Sequence, residues 1–466
     1  MAISRRNALK IGVGASALAA TTALTGCQTT AGASAAPAAA SKPKMLGHHQ
    51  IIVVGGGFGG LTVAKNLKAI DPKFDVLVIE KNETFMSCPF SNANLGKLEG
   101  INLGTFVFDY AKTVEKNGFG LLHSEVIAID RKAKIVTTAK GMIGYDILVL
   151  SPGIEYNYKA QFPAWDDKKI AHIRRVAPGA LIPGAEHVIL ERELMSMEEG
   201  NVIITIPSGK FRCPPAPFER ASMIAAYMKK EGIAGKVIML NETNEIAKGA
   251  AFKESWKELY GDMVEHIDFC KLVDVDPKAK KITFKQTTYK DKEDVEGTVT
   301  EKTLDYAVLN LIAYNKSHPV IEMAGLEVTP DAFGKVKMNG CSFRSLTDEN
   351  IYAVGDVVGH GIPPSGQTAN WAGKECAKEI AHRLHGKAFE MEVQTQTIKA
   401  GNVCFSMVGD QPEEAIMVLH DFSFNGKIIT AKGSVPKDAK TGKFRGTATA
   451  KQTHEWYRGI TSDLFS

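Results

Sequence analysis

Short β-branched apolar runs, each stopped by a glycine turn or a polar residue, recur along the chain and set its frame. Gln50-Ile51-Ile52-Val53-Val54 is the first, and a helical pattern, Leu61-Thr62-Val63-Ala64-Lys65-Asn66-Leu67, follows it directly after a glycine-rich stretch. Val76-Leu77-Val78-Ile79, Asp146-Ile147-Leu148-Val149-Leu150, Asn201-Val202-Ile203-Ile204-Thr205-Ile206, Lys236-Val237-Ile238-Met239-Leu240 and Asn350-Ile351-Tyr352-Ala353-Val354 are strands of the same kind. Apolar runs alternating with helical patterns predict an α/β fold built on parallel sheets.

The glycine stretch gives the first strand a chemistry. Gly55-Gly56-Gly57-Phe58-Gly59-Gly60 stands between strand and helix. Gly55 serves the tight turn, Gly57 lets backbone approach a pyrophosphate, and Gly60 lets the helix pack on the strand, with the helix N-terminus facing the negative charge. The second strand ends in Glu80, at the distance where an acidic side chain meets an adenosine ribose. Strand, glycine turn, helix and acidic strand end together predict dinucleotide binding.

Composition bounds the rest. The 466 residues, 44% apolar and 23% charged, suffice for two or three domains with their own cores. A net charge of +4 without a basic block argues against nucleic acid. No histidine grouping suggests a metal: His48-His49, His382 and His385 read as solvated or dipole-favoured residues.

Residues 1–45 read as an export leader and Ala-rich linker. Ser4-Arg5-Arg6-Asn7-Ala8-Leu9-Lys10 resembles a twin-arginine signal, with Ala8 where Phe is usual. The apolar run Ile11–Leu24 is well short of the ~20 strongly apolar residues that cross a bilayer. Leu24-Thr25-Gly26-Cys27 has the form of a lipoprotein signal, implying a lipid anchor on Cys27; cleavage near Ala33-Ser34-Ala35 is the alternative and discards that cysteine. Both place the mature protein outside the cytoplasm, in the periplasm.

Two later segments choose the dinucleotide. Asp146–Leu150 running into Ser151-Pro152-Gly153 resembles the strand and turn that re-enter the FAD domain of two-dinucleotide-domain flavoproteins. Asn350–Val354 with Gly355-Asp356 resembles their last FAD strand, whose aspartate binds the ribityl chain. The resemblance implies FAD. Relatives of glutathione reductase carry a second glycine loop for NAD(P)H about midway. Here the corresponding strand, Asn201–Ile206, runs into Pro207-Ser208-Gly209-Lys210, and the next ends in Asn241 where an acidic ribose ligand is wanted. A nicotinamide donor is therefore not expected.

Phe211-Arg212-Cys213-Pro214-Pro215-Ala216-Pro217-Phe218-Glu219-Arg220 resembles the signature of the flavoprotein subunit of flavocytochrome c sulfide dehydrogenase, a family related to sulfide:quinone oxidoreductases. Asn402-Val403-Cys404-Phe405-Ser406 and the ending Glu455–Phe465 are similar to the same family. The resemblance implies two Rossmann-like domains of the glutathione-reductase type plus a C-terminal α+β module. It implies an FAD domain at 46–155 and 305–388, a middle domain at 156–304 and the C-terminal module at 389–466. Residues Lys290 to Lys302 are a charged, exposed hairpin of the middle domain.

The family carries its flavin on a cysteine, and Met86-Ser87-Cys88-Pro89-Phe90-Ser91-Asn92 matches the attachment motif at Cys88; a free buried cysteine is the alternative. The family oxidises sulfide, or a related small sulfur compound, at a disulfide beside the flavin and passes electrons to a c-type cytochrome. Cys213 matches the first cysteine. The second falls near Val336 in the family's register, and the nearest cysteine, Cys341, is the expected partner. Cys404 is assigned no role, and Cys270 and Cys376 read as small core residues. No haem-attachment motif occurs, so the haem belongs to another chain. Two other readings are carried. A sulfide:quinone oxidoreductase needs an amphipathic, membrane-embedded C-terminus, whereas 440–466 reads as charged and without an apolar face. A redox-inactive flavin-binding assembly partner needs the cysteine pair to be incomplete.

Overall fold

The computed structural model describes residues 43–291, 293–387 and 401–465. The twin-arginine stretch, Cys27 and the first residues of the expected C-terminal module lie outside the described residues.

The first sheet has seven strands. Its parallel heart is Gly120–His123, Val76–Glu80, Met45–Val54, Gly141–Leu150 and Ile351–Ala353, side by side in that order. Ile51, Ile52 and Val53 are fully buried, as are Leu148 to Leu150 and Ile351 to Ala353. An uninterrupted apolar run needs cover on both faces, and the helices Phe58–Ile70 and Gly366–Leu384 pack together over this sheet. All these strands end at one edge, and the glycine turn, Ser151 and Gly355 gather there.

The second sheet is parallel and four-stranded, in the order Val264–Ile267, Val237–Asn241, Val202–Ile206, Val308–Asn310. Val308–Asn310 pairs with Val202–Ile204, so the chain leaves the middle domain after Asn310 and not at the expected residue 305. The two crossings between the domains lie together, as Ile154–Tyr156 pairs antiparallel with Asn315–Ser317. An antiparallel meander, Cys270–Asp276, Lys281–Thr288 and Thr298–Asp305, carries the expected exposed hairpin. Asn241, at the position where a nicotinamide domain wants an acidic ribose ligand, is fully buried; its side chain donates to Glu245 O and accepts from the Thr243 amide.

The C-terminal module is an antiparallel sheet, Gly401–Asp410, Glu413–Phe424 and Ile429–Ser434, followed by the helix Thr447–Phe465. This helix corrects the expectation that the C-terminus has no apolar face. Ala450, Thr453, Tyr457, Ile460, Thr461 and Leu464 are buried at helical spacing, and the charges occupy the other side. Phe465 stacks on Phe108 with ring centroids 4.7 Å apart, Thr113 Oγ1 donates to Leu464 O at 2.6 Å, and Asn370 Nδ2 donates to Asp463 Oδ2 at 3.0 Å. The end of the chain is thereby clamped to the first domain. Among the described residues no helix is long and apolar enough to cross a membrane, and no group of His, Cys, Asp and Glu is placed to hold a metal.

Candidate functional site

The strand ends of the first sheet open into a cavity of about 530 Å³, within the range of cofactor sites. One end is the glycine turn. A Cβ on Gly55, whose φ is +104°, would lie 2.3 Å from Ser151 O, and one on Gly60 would lie 1.9 Å from Gly55 O. Gly57 has open space beside it, on the cavity side. Glu80 is buried: Gly56 N–H donates to its Oε2 at 2.7 Å, and the Asn82 amide to its Oε1 at 2.8 Å. Glu80 therefore holds the turn while lining the cavity. Phe58, Ser151, Pro152, Gly153, Gly355 and Asp356 line it as well; Gly60 stands behind the turn.

Asp356 is not alone. Arg212 Nε donates to its Oδ2 at 2.7 Å, and Arg212 Nη1 donates to Leu181 O at 2.9 Å. Gly153 leaves room for that guanidinium, since a Cβ there would sit 2.5 Å from Arg212 Nη2. Farther along, Gly366–Leu384 points its N-terminus at the cavity. Ser365 caps it, accepting from Thr368 N–H at 3.2 Å, and Trp456 Nε1 donates to Gln367 Oε1 at 2.8 Å. A helix N-terminus favours negative charge on whatever lies before it.

The far end carries three cysteines: Cys88, Cys213 and Cys404. Cys88 follows the short strand Thr84–Met86, and its carbonyl accepts from Ser91 Oγ at 2.6 Å. Cys213 holds a left-handed backbone at φ +53°, and its amide donates to Pro364 O at 3.0 Å. Cys404 lies on Gly401–Asp410, the strand against which Ala216–Glu231, the helix following Cys213, packs. Burial pushes all three thiols up in pKa; for Cys213 the strongest charge felt is Cys404. All three are unbridged here.

The expected pair is not brought together. Cys341 is buried with Val336, Met338 and Phe343 in the first domain's core, in the turn between the bridged residues Met338 and Ser345, and forms no part of the cavity wall. The cysteine that shares the cavity wall with Cys213 and most affects its ionisation is Cys404, supplied by the C-terminal sheet. Cys270 and Cys376 are fully buried core residues.

Two charged residues also stand here without having been assigned a role. Glu219 lies on the cavity wall, accepting from Asn92 Nδ2 at 3.0 Å and from the Met407 amide at 2.8 Å; burial raises its pKa. Its place in the first turn of the helix that follows Cys213 was the available signal. Arg220, fully buried, ties Asn92, Asn310 and the carbonyls of Gly179 and Ala180 together beneath the site.

A cavity of this size, a glycine cradle that added Cβ atoms would close, an acidic strand end and a helix N-terminus fit an FAD laid from Glu80 to the cysteines. Similarity to known proteins agrees. Residues 187–299 match the family described as sulfide dehydrogenase (flavocytochrome c) flavoprotein chain, central; residues 397–465 match flavocytochrome c sulphide dehydrogenase, flavin-binding; residues 49–178 match pyridine nucleotide-disulphide oxidoreductase. The sulfide dehydrogenase (flavocytochrome c) flavoprotein chain of Chlorobaculum thiosulfatiphilum is 49% identical over 47 residues, 10% of this chain and 98% of that sequence. The sulfide-quinone reductase of Aquifex aeolicus is 27% identical over 356 residues, 72% of this chain and 75% of that one. The crystal structure of the Aquifex aeolicus sulfide:quinone oxidoreductase superposes with a TM-score of 0.65 at 19% identity, over 90% of this chain and 91% of that one, which shows the shared fold. This chain is an FAD-binding oxidoreductase and belongs to the flavocytochrome c sulfide dehydrogenase flavoprotein family, related to the sulfide:quinone oxidoreductases.

Proposed function

We propose that the protein oxidises sulfide, or a related reduced sulfur compound, at a disulfide formed by Cys213 and Cys404, and passes the electrons to a separate c-type cytochrome. The observation that carries this reading is the convergence of Cys88, Cys213 and Cys404 on the wall of the FAD cavity. Hydrosulfide attacks one sulfur of the bond; the S–S bond breaks, one cysteine carries –S–SH and the other is released as a thiolate. FAD supplies a two-electron acceptor against these sulfurs and a relay to a one-electron carrier. Glu219, whose burial strengthens its hold on a proton, is the base placed to take one from the arriving substrate. Cys213 and Cys404 replace the pair Cys213 and Cys341.

Cys88 is proposed as the covalent attachment point of FAD. Acid-precipitated protein should stay yellow, and Cys88→Ala should release its flavin; a yellow supernatant from the wild type contradicts attachment. Arg5-Arg6 and Cys27 support export and, for Cys27, a lipid anchor. A cytochrome acceptor is favoured over quinone because the apolar face of Thr447–Phe465 is turned onto the protein itself, with Tyr457 against Phe90 and Phe106 and Phe465 against Phe108.

The test is anaerobic reduction. Stoichiometric sulfide should bleach the flavin band and NADH should not, and a c-type cytochrome should then reoxidise the flavin faster than a soluble quinone. Bleaching by NADH alone, or indifference to sulfide, overturns the reading.

A further inference from the structure

The two sulfurs of the proposed disulfide do not sit in equivalent surroundings, and one buried cation makes the difference. Lys248 precedes the helix Gly249–Leu259 and is 9% exposed. Its Nζ donates to Cys404 O at 2.8 Å and to Ser406 Oγ at 3.0 Å, and stands 3.7 Å from Cys404 Sγ. An ammonium has three donors; two are fixed by neighbours of the sulfur and the third is free to meet it. Lys248 also holds a left-handed backbone, φ +61° and ψ +33°, without being a glycine. Strain of this kind persists where surrounding structure enforces it, commonly at functional sites.

We propose that Lys248 is a catalytic residue: its ammonium stabilises the negative charge that develops on Cys404 Sγ as the disulfide opens, so hydrosulfide is directed onto Cys213, which becomes the persulfide. This rests on reading Cys213 and Cys404 as the redox disulfide and assigns that bond its polarity. The hydrosulfide sulfur bonds to Cys213 Sγ, the Sγ–Sγ bond breaks, and its electron pair stays on Cys404. Cys213 ends as –S–SH with the proton hydrosulfide brought, Cys404 as –S⁻, and the single negative charge has moved from hydrosulfide to Cys404 Sγ, beside the Lys248 ammonium. The sulfide sulfur is oxidised to the persulfide level as the disulfide is reduced. Exchange proceeds through whichever sulfur leaves more readily, and that is the one whose thiolate is better stabilised.

The other charged groups do not reverse this order. Glu219 disfavours the ionised form of both cysteines, and Cys88 that of Cys213; Lys248 favours both, but is hydrogen-bonded to Cys404's own carbonyl. His420, on the neighbouring strand, bonds Asn402 and is itself held towards neutrality by burial and by Lys248. Thiols that influence each other's ionisation titrate as a pair, and the cation decides which ionises first.

Alkylation of the reduced holoprotein by iodoacetamide across pH, read peptide by peptide, tests this without turnover. Cys404 should react with a midpoint below that of Cys213; Lys248→Met should raise the Cys404 midpoint by about one to three pH units, and Lys248→Arg should restore most of it. One equivalent of sulfide added anaerobically to oxidised wild type should leave the extra sulfur on Cys213. Equal or reversed midpoints, no shift in Lys248→Met, or extra sulfur on Cys404 overturns the role of Lys248. If Lys248→Met does not fold, the wild-type and Lys248→Arg profiles decide alone. A non-reducing peptide map taken before sulfide separates the two failures: without a Cys213–Cys404 linked peptide the disulfide reading falls, whereas with it a misplaced sulfur condemns Lys248 only.

Discussion

The two ends of the cavity are built in opposite ways. The dinucleotide end comes from one continuous stretch, strand, turn, helix and second strand, and its parts hold one another: Glu80 takes the Gly56 amide, and Gly60 packs against Gly55. The sulfur end is assembled from the Cys88 loop, the Cys213 loop, the residue before a middle-domain helix and a strand of the C-terminal module. A cradle for a common cofactor can be local because its chemistry is backbone geometry. The proposed reactive pair takes its two side chains from segments far apart in sequence, so its geometry depends on how the whole chain folds.

That contrast can be broken at its sulfur end with the largest effect. Cys404→Ser should lower sulfide-driven flavin reduction by about 10³-fold or more with FAD still bound, while Cys341→Ser should stay near wild type, as stopped-flow absorbance would show. Loss of activity in Cys341→Ser with Cys404→Ser unaffected would reverse the assignment. At the dinucleotide end, Gly60→Ala forces a Cβ to 1.9 Å from Gly55 O. It should cost about 3 kcal/mol and weaken FAD retention, measurable by thermal unfolding and flavin release. The clamp joining the ends is probed by Phe465→Ala, which removes the rings' stacking on Phe108 and should cost about 2–3 kcal/mol in denaturant unfolding.

A further effect is one of pH, beneath the sulfur end. His187 is buried, neither ring nitrogen has a partner, and burial drives its pKa down to about 3. Its folded pKa lies below the unfolded value of about 6.5, so between those values the unfolded chain binds the extra proton. The stability of the neutral ring is complete above about pH 6.5 and is lost as pH falls towards 3, at about 1.4 kcal/mol per unit. His187→Leu should flatten that slope in urea unfolding between pH 6.5 and 4.5; an unchanged slope would assign it to other groups.

Sequence reached the two ends unequally for the same reason. Gly55, Gly57, Glu80 and Asp356 were legible because each sits in a contiguous motif with its own backbone logic, and all four stand on the cavity wall. Counting along the chain points to Cys341, yet its turn folds into the core. Cys404 was visible in a resembling segment, but only the packing of Ala216–Glu231 on Gly401–Asp410 brings it to Cys213. Lys248 left no trace, since a lysine before a glycine reads as solvated surface. Arg212 and Glu219 flank Cys213 closely enough to have been suspected. The apolar face of Thr447–Phe465 was hidden because Lys451, Glu455 and Arg458 interleave with its buried positions. The boundary near residue 305 failed because Val308–Asn310 is short and its partner strand lies far back in sequence.

The central claim is that Cys404, not Cys341, completes the redox pair with Cys213. Protease digestion of the oxidised protein without reductant, followed by mass spectrometry, reads it directly. The account predicts a linked peptide joining the segments of Cys213 and Cys404, lost on reduction, with Cys341 recovered as a free thiol. A peptide linking Cys213 to Cys341, or Cys213 and Cys404 both free in oxidised and active protein, would contradict it.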